Sequence, residues 1–514
     1  MAREAGVELE VGNRGIITVC LMIATLMQAL DSTIANVALP YMQGTLSASY
    51  DQITWVLTSY VVMAAIMTAP VGWLAARFGR KNLFILSLIG FTIASMLCGV
   101  AGSLTQMVLY RLLQGAFGAA LVPLSQSTLL DIYPPEKRGS AMSLWGMGVM
   151  LGPILGPTLG GYLTDAFSWR YVFFVNLPFG VVAVLGLLVF MPDDRQHRTS
   201  QFDWTGFLTL SMALAALQLA LDRGEEMDWL SSPSIVISFI VAGIALYLFT
   251  VHMFMGRNTF IPRTIFADMN FVAGLVTIFT VGLVLLASSA LLAPFLENLG
   301  NYPVATAGLL MAPRGVGTLI AMQISGRLSD KMDPRILMFA GYLMLGLAFD
   351  MQAGWTPEVS QSYMILTIAI QGAGLGFVFV PLQVVAFYTM PSGMRTQGSA
   401  LLSLLRNIGS AIGMSISSAL LAHMAQYEHA HLASYITPFN RILQQGGAVS
   451  RLLDPTSRSG AALLNGMIDT QAQIISYIDD YKFMLLATIP AMACLLLMRK
   501  PPSRASLSQP QMAE

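Results

Sequence analysis

Runs of about twenty mostly apolar residues recur along nearly the whole chain, with short polar turns between them. An α-helix rises about 1.5 Å per residue, so each run is long enough to cross a hydrocarbon core of about 30 Å. Hydropathy places fourteen spans at 16–38, 52–73, 82–102, 104–127, 140–162, 171–191, 204–221, 234–254, 270–294, 304–325, 336–354, 362–386, 397–421 and 482–499. The pattern predicts an all-α polytopic membrane protein. With the N-terminus in the cytoplasm, the outer loops hold only Arg170, Arg223, Arg441, Arg451, Arg458 and Lys482. Arg111, Arg314 and Arg406 fall inside spans, and every other Lys and Arg lies on the cytoplasmic side. This bias sets the orientation, with both termini cytoplasmic.

The chain also repeats itself. Gly72-Trp-Leu-Ala-Ala-Arg77 is echoed by Gly326-Arg-Leu-Ser-Asp-Lys331, and Gln114-Gly115 with Pro123-Leu124 by Gln371-Gly372 with Pro381-Leu382. Gly139-Ser140-Ala141 returns as Gly398-Ser399-Ala400, and all the matches are offset by 254 to 259 residues. Both copies of the first motif fall in cytoplasmic loops, so the two halves form a parallel repeat. The organisation is then a cytoplasmic N-terminus (1–15), a six-helix bundle (16–191), a two-helix insertion (204–254), a second six-helix bundle (270–499) and a cytoplasmic tail (500–514). The second bundle includes one sizeable outer segment (423–481). A solvated helical hairpin that touches a partner is expected there, and the alternative is a metal role for His423, His429 and His431.

Only 11% of the 514 residues are charged and 55% are hydrophobic, against roughly 25% charged in a soluble domain. The formal net charge of zero says nothing about nucleic acid, and none is expected as a partner. Cys20, Cys98 and Cys494 lie far apart inside apolar runs, where packing accounts for them, so no metal site is predicted. Arg3 and Arg14, beside Glu4, Glu8 and Glu10, lead straight into the first span, which is read as an anchor and not a cleaved leader.

Charges inside spans carry the most information, because a charge in hydrocarbon is costly unless paired or hydrated. Asp31 and Arg111 each lie roughly 10 Å below the outer end of their spans, so the two can meet. Burial disfavours the carboxylate and a guanidinium favours it, so moving Arg111 away from Asp31 would load or release a proton. The alternative is a fixed ion pair that only staples two helices. Arg314 and Arg406 sit near the midplane and cannot shed their protons; each is expected to fix an acidic partner or line a hydrated cavity. Glu297 marks the outer mouth of the ninth span, as a gate or a solvated end. In the fifth span Gly148, Gly152, Gly156 and Gly160 make a flat stripe, and Pro153 and Pro157 each remove a backbone hydrogen bond. Such a helix suits a gate where two bundles meet, and simple close packing is the alternative.

These residues carry a family resemblance. Leu30-Asp-Ser-Thr-Ile-Ala-Asn-Val-Ala-Leu-Pro40 looks like the first-span signature of fourteen-span drug exporters. Gly72-Trp-Leu-Ala-Ala-Arg-Phe-Gly-Arg-Lys81, with Gly72, Arg77, Gly79 and Arg80, is similar to the cytoplasmic loop motif of the major facilitator superfamily. Arg111-Leu-Leu-Gln-Gly115 resembles its fourth-span motif, and Gly152-Pro-Ile-Leu-Gly-Pro157 with Gly160-Gly161 its antiporter motif. Ser125-Gln126, Tyr133-Pro-Pro-Glu-Lys-Arg138, Trp169-Arg170, Asn176-Leu-Pro-Phe-Gly180 and Leu221-Asp-Arg-Gly224 look like the EmrB-type multidrug exporters. The resemblance implies a major facilitator fold, two six-helix bundles plus two inserted helices. It also departs from the pattern: Ala76 stands at the acidic position of the loop motif, which Asp330 keeps in the second copy, and Asp333 stands where the family favours glycine. The cytoplasmic latch is therefore expected to be lopsided.

The resemblance implies drug:proton antiport by alternating access in the bacterial inner membrane, with Asp31 as proton site and Arg111 as its tuner. Gln28, Asn36, Gln126 and Trp145 are placed in the substrate cavity. It further implies a periplasmic membrane-fusion adaptor and an outer-membrane channel of the TolC kind as partners. The alternative is a dedicated exporter of one metabolite or siderophore. No Gly-Lys-Ser/Thr phosphate loop and no nucleophile–base cluster occurs in the sequence, so an ATP-driven pump, an enzyme and a cofactor are not expected.

Overall fold

Backbone N–H and C=O groups find no water in a hydrocarbon core, so an apolar run is held there as a helix that bonds to itself. The computed structural model describes residues 13–192, 201–256, 259–436, 453–454 and 456–498, and these contain helices and no strands. In chain order the helices are α1 (Arg14–Thr45), α2 (Tyr50–Ile53), α3 (Trp55–Thr68), α4 (Val71–Phe78), α5 (Arg80–Val100), α6 (Leu104–Gly118), α7 (Leu121–Ile132), α8 (Arg138–Ala166), α9 (Tyr171–Phe174) and α10 (Asn176–Phe190). There follow α11 (Trp204–Arg223), α12 (Pro233–Met255), α13 (Met269–Pro294), α14 (Val304–Ser329), α15 (Pro334–Ala353), α16 (Gln361–Tyr388), α17 (Arg395–Ser434) and α18 (Arg458–Cys494). Among the described residues 12 helices are long and apolar enough to cross a membrane, or 14 if each of two bent pairs is one span.

The bends fall where the sequence supplies a cause. The second predicted span breaks at Pro70 into α3 and α4, which meet at 58°. The fifth bends by 45° between Gly156 and Thr158, beside the prolines that remove backbone donors. Two predicted boundaries move further. The thirteenth span was expected to end at 421, yet α17 runs on to Ser434. The fourteenth was expected to begin at 482, yet α18 starts at Arg458. The outer segment therefore consists, where described, of extensions of the two spans, bonded to each other by His429 through Asn465 (3.1 Å) and Asp469 (3.3 Å). Residues 437–452 and 455 of that segment, most of the N-terminus and the tail lie outside the described residues.

Packing divides the chain in two. In the first half α1 lies along α8, α3 on α6 and α5 on α6 and α10; in the second half α13 lies along α17, α14 on α16 and α15 on α16 and α18. Small residues let the backbones close up, since lipid offers no hydrophobic drive and contact must come from shape. The stripe on α8 faces α1: a Cβ on Gly152 would stand 2.5 Å from the Ala29 carbonyl carbon, and one on Gly160 3.0 Å from the Ile34 carbonyl oxygen. This corrects the expected place of the stripe, which meets a helix of its own half. The face of α8 that meets the other half carries Gly139, Ser143, Gly146 and Ile154, against Asp330, Gly326, Met322 and Gly315 of α14 and its end.

α11 and α12 pack on each other, and α11 also lies on both α3 and α17. Its inner end is fixed by a contact between Asp203 Oδ1 and His252 Nε2 of α12 at 2.8 Å. Its outer end is fixed by the Ser415 hydroxyl of α17, which donates to the Leu221 carbonyl at 3.0 Å, and by Arg223 over the Trp55 ring at 5.4 Å.

Gly152→Ala is expected to lower stability by about 1–3 kcal/mol through overpacking, whereas Gly346→Ala, with nothing within 4 Å of the added carbon, is neutral or stabilising. Thermal unfolding of the two purified variants in one detergent checks the contrast.

Candidate functional site

The inner face of α1 presents Met27, Leu30, Asp31, Ile34 and Ala38, all buried. Asp31 thus enters the first half fully enclosed by protein. Arg111, on α6, is enclosed as well and donates Nη1–H to Asp31 Oδ2 at 2.7 Å. One turn along α6, Gln114 accepts from the same nitrogen at 2.9 Å and donates to Asp31 Oδ1 at 2.8 Å. Asn176, at the start of α10, donates to Oδ1 at 3.4 Å and to Ser95 Oγ of α5 at 2.9 Å.

Arg111 is held from its other side by the Val56 carbonyl of α3, 3.0 Å from Nε, and by the Tyr60 ring, 4.3 Å from the guanidinium carbon. Gln28 reaches the hydroxyl of the same tyrosine at 3.3 Å. A buried pair is stable only when its leftover donors and acceptors are also met. Gln114, Asn176 and Val56 meet most of them here, though Arg111 Nη2 is enclosed without a hydrogen bond. Chemically, the site holds one carboxylate whose charge depends on where one guanidinium stands.

The other sequence-predicted residues are dispersed. Arg314 of α14 donates to Ser289 Oγ (2.6 Å), Ser288 Oγ (3.1 Å) and the Leu285 carbonyl (2.9 Å) of α13. Hydroxyls and a carbonyl do the work expected of an acidic partner. Arg406 is half-buried on α17, with its backbone pressed against Gly282 of α13, and makes no ion pair among the described residues. Glu297 is half-buried in a π-helical turn after α13 and likewise forms no ion pair among them. Of the residues placed in a cavity, Asn36 is exposed and Gln28 half-buried. Gln126 and Trp145 are instead buried where the halves meet: Gln126 bonds to Gln383, and Trp145 stacks on Phe379 at 6.0 Å.

The loop motifs join the halves through different chemistry. Asp330, at the end of α14, accepts from the Gly139 N–H (2.8 Å), the Ser140 N–H (3.2 Å) and the Ser140 hydroxyl (2.6 Å). It caps the N-terminus of α8, where free amides and the helix dipole favour an anion. No such carboxylate serves α17 from position 76, which is Ala76. There Asp131 of α7 bridges Arg80 and Arg395, the first residue of α17, while Gly72 packs directly on Gln397. Gly79 adopts φ 83°, the left-handed turn between α4 and α5, and Arg77 is exposed.

The Major Facilitator Superfamily model matches residues 21–414. The chain belongs to the major facilitator superfamily. As a member it is a multi-pass membrane transporter and not an enzyme. It is 36% identical to the "Multidrug export protein EmrB" of Escherichia coli (strain K12) over 464 residues, 90% of each chain. It is 33% identical to the "Fatty acid resistance protein FarB" of Neisseria gonorrhoeae over 461 residues, 89% of this chain and 91% of that one. The human organic anion transporter MFSD10 (TETRAN) superposes with a TM-score of 0.60 at 14% identity, covering 92% of this chain and 99% of that one. The proton:xylose symporter XylE gives 0.54 at 15% identity, covering 92% and 96%. These two likenesses establish the superfamily's fold.

Sequence reasoning gave no site role to Gln114, Asn176, Tyr60 or the Val56 carbonyl. Gln114 and Asn176 were visible as motif residues, but Tyr60 and a backbone oxygen carry no signal of their own. Asp31→Asn leaves a permanent buried cation and is expected to cost about 3–5 kcal/mol of stability. Arg111→Gln should cost less, because Asp31 can take up a proton and Arg111 cannot lose one. The double variant should fall well short of the sum of the two, as denaturant unfolding of the four proteins will show.

Proposed function

We propose that this transporter exports amphipathic compounds from the cytoplasm in exchange for inward-moving protons, by rocking of its two halves about the contact between them. The observation that carries this reading is the enclosed Asp31–Arg111 pair, answered by Gln114 and Asn176. A carboxylate so placed has two tolerable conditions. It is ionised against Arg111, or protonated once Arg111 is withdrawn. Movement of α6 relative to α1 thus exchanges one proton between Asp31 and water.

The similarity to multidrug export proteins over nine-tenths of the chain supports efflux of several compounds. In this reading the protein sits in the bacterial inner membrane with both termini cytoplasmic. The extensions of α17 and α18 then face the periplasm, where an adaptor leading to a TolC-like outer-membrane channel would dock. The Gly-Pro helix α8 flexes between α1 and α14 as the halves rock, and the contacts made by Asp330 and Asp131 hold the cytoplasmic side closed.

A second reading is a dedicated exporter of one acidic metabolite. Arg314 and Arg406 favour it, since neither forms an ion pair among the described residues. An anionic amphiphile would supply the missing charge, and a relative is named for fatty acid resistance. A panel of cationic, neutral and anionic compounds separates the two: export confined to one acid supports the second.

The deciding experiment is accumulation of dyes and drugs in proteoliposomes under an imposed pH gradient without ATP, comparing wild type with Asp31→Asn. Gradient-driven accumulation that the substitution abolishes, with ligand binding retained, is the outcome this function requires. Full transport by Asp31→Asn removes Asp31 as the coupling group, and a wild type indifferent to the gradient overturns antiport itself. The latch is tested separately with a cysteine at position 126 in a background lacking the three native thiols. Arg395→Gln or Asp330→Asn weakens closure by one or two kcal/mol and should speed labelling of that cysteine about tenfold.

A further inference from the structure

The last long helix carries a carboxylate that the ion-pair site does not use. Asp480 of α18 is fully enclosed, and among the described residues its oxygens find no well-formed hydrogen bond, only the nearby Ser417 hydroxyl. Ser417 of α17 faces it, and that hydroxyl is enclosed without a hydrogen bond as well. The ionisable groups that act on it are Asp479, Tyr477 and Tyr481 of its own helix, none of them a cation. Lys482, the nearest basic residue in sequence, is largely exposed and pairs with Asp479 at 3.5 Å. Glu297, in the turn that packs on α18, adds a carboxylate and no positive charge.

The remaining surroundings are aromatic, and the one cation near them, Arg314 of α14, acts on Tyr481 and is bonded to Ser288, Ser289 and the Leu285 carbonyl of α13. Phe295 lies 5.2 Å from Tyr477 and 5.4 Å from Trp355, and Trp355 lies 6.1 Å from Tyr481, all ring to ring. The Tyr481 hydroxyl and the Trp355 indole nitrogen are themselves buried without partners. An anion taken out of water needs a cation or several donors, and Asp480 has neither among the described residues. A proton on one oxygen removes the charge and supplies a donor for Ser417.

We propose that Asp480 is a second proton-carrying carboxylate of this transporter, held neutral while α17 and α18 are packed together. The inference rests on proton exchange as the function. Its position suits the role: Ser417 lies about 33 Å along α17 from the Arg395 end, close to the Ser415 contact with the outer end of α11. When the helix pair admits outer water, an ionised Asp480 oxygen takes one proton from it. The packed state carries that proton as the neutral acid, and rearrangement of α17 against α18 returns it to water on the inner side. Asp31 and Asp480 then place one proton-binding group in each half of the repeat.

Two measurements on the full-length protein in lipid test this. Infrared spectra at neutral pH should contain a protonated carboxylic C=O band that persists in Asp31→Asn, disappears in Asp480→Asn and shifts in Asp480→Glu. A band unaffected by either Asp480 substitution means the side chain is ionised and overturns the proposal. Asparagine is close in shape to the neutral acid, so Asp480→Asn is expected to fold, and Asp480→Glu keeps a titratable group if it does not. In proteoliposomes, Asp480→Asn should move one fewer proton per molecule of a compound that wild type exports. An unchanged ratio reduces Asp480 to a structural acid and also overturns the proposal. A wild type that ignores the pH gradient would instead sink the antiport reading, and the infrared band would still decide whether Asp480 binds a proton.

Discussion

Arg111 is a permanent cation with no water to solvate it, and the first half of the protein is arranged around that fact. Its charge is met by Asp31 from α1, its remaining donors by Gln114 and the Val56 carbonyl, and its flat face by Tyr60. Asn176 of α10 and Ser95 of α5 extend the set, so five long helices converge on one guanidinium. Such a centre adds little net stability compared with an apolar core of the same shape, because desolvation consumes most of the Coulomb gain. What it provides is mutual satisfaction: the carboxylate of α1 and the guanidinium of α6 are each met chiefly by the other and by Gln114. The second half solves its own buried cation differently. Arg314 is met by hydroxyls and a carbonyl, and no carboxylate pairs with it among the described residues.

The closure between the halves is equally uneven. On one side a carboxylate caps a helix N-terminus, a short-range interaction with fixed amides that geometry controls. On the other, Asp131 stands between Arg80 and Arg395, an ion-pair contact that is itself largely buried. The two sides therefore join the halves through different chemistry, a cap on one and an ion-pair bridge on the other. Position 76 is Ala76 and offers α17 no carboxylate, and Asp131 of α7 pairs with Arg395 at the first turn of α17.

Much of this was legible in the sequence. Span length and loop charge gave the spans, and equal depth in two spans put Asp31 beside Arg111. What escaped was whatever depends on a neighbour. A glycine stripe announces close approach and does not say which helix approaches, so the partner of α8 proved to be α1. Hydropathy measures environment and not helicity, so the charged, glutamine-rich start of α18 and end of α17 read as a solvated helical hairpin separate from the two spans, when they continue them. Asp479 and Asp480 fell outside the predicted span for that reason, although only Asp479 is exposed enough to pair with Lys482. Gln126 and Trp145 were expected in the substrate cavity, and the structure buries both where the halves meet. There they bond and stack across the boundary between halves.

The inserted pair has a consequence for how lipid meets the protein. α11 lies over the seam between α3 and α17, bonded to the second half at Ser415 and resting on the first at Trp55. The opposite seam, between α8 and α14, has no inserted helix across it. Seen from the lipid, the two flanks of the described residues therefore differ: one seam lies beneath a helix hairpin, and the other meets the hydrocarbon directly.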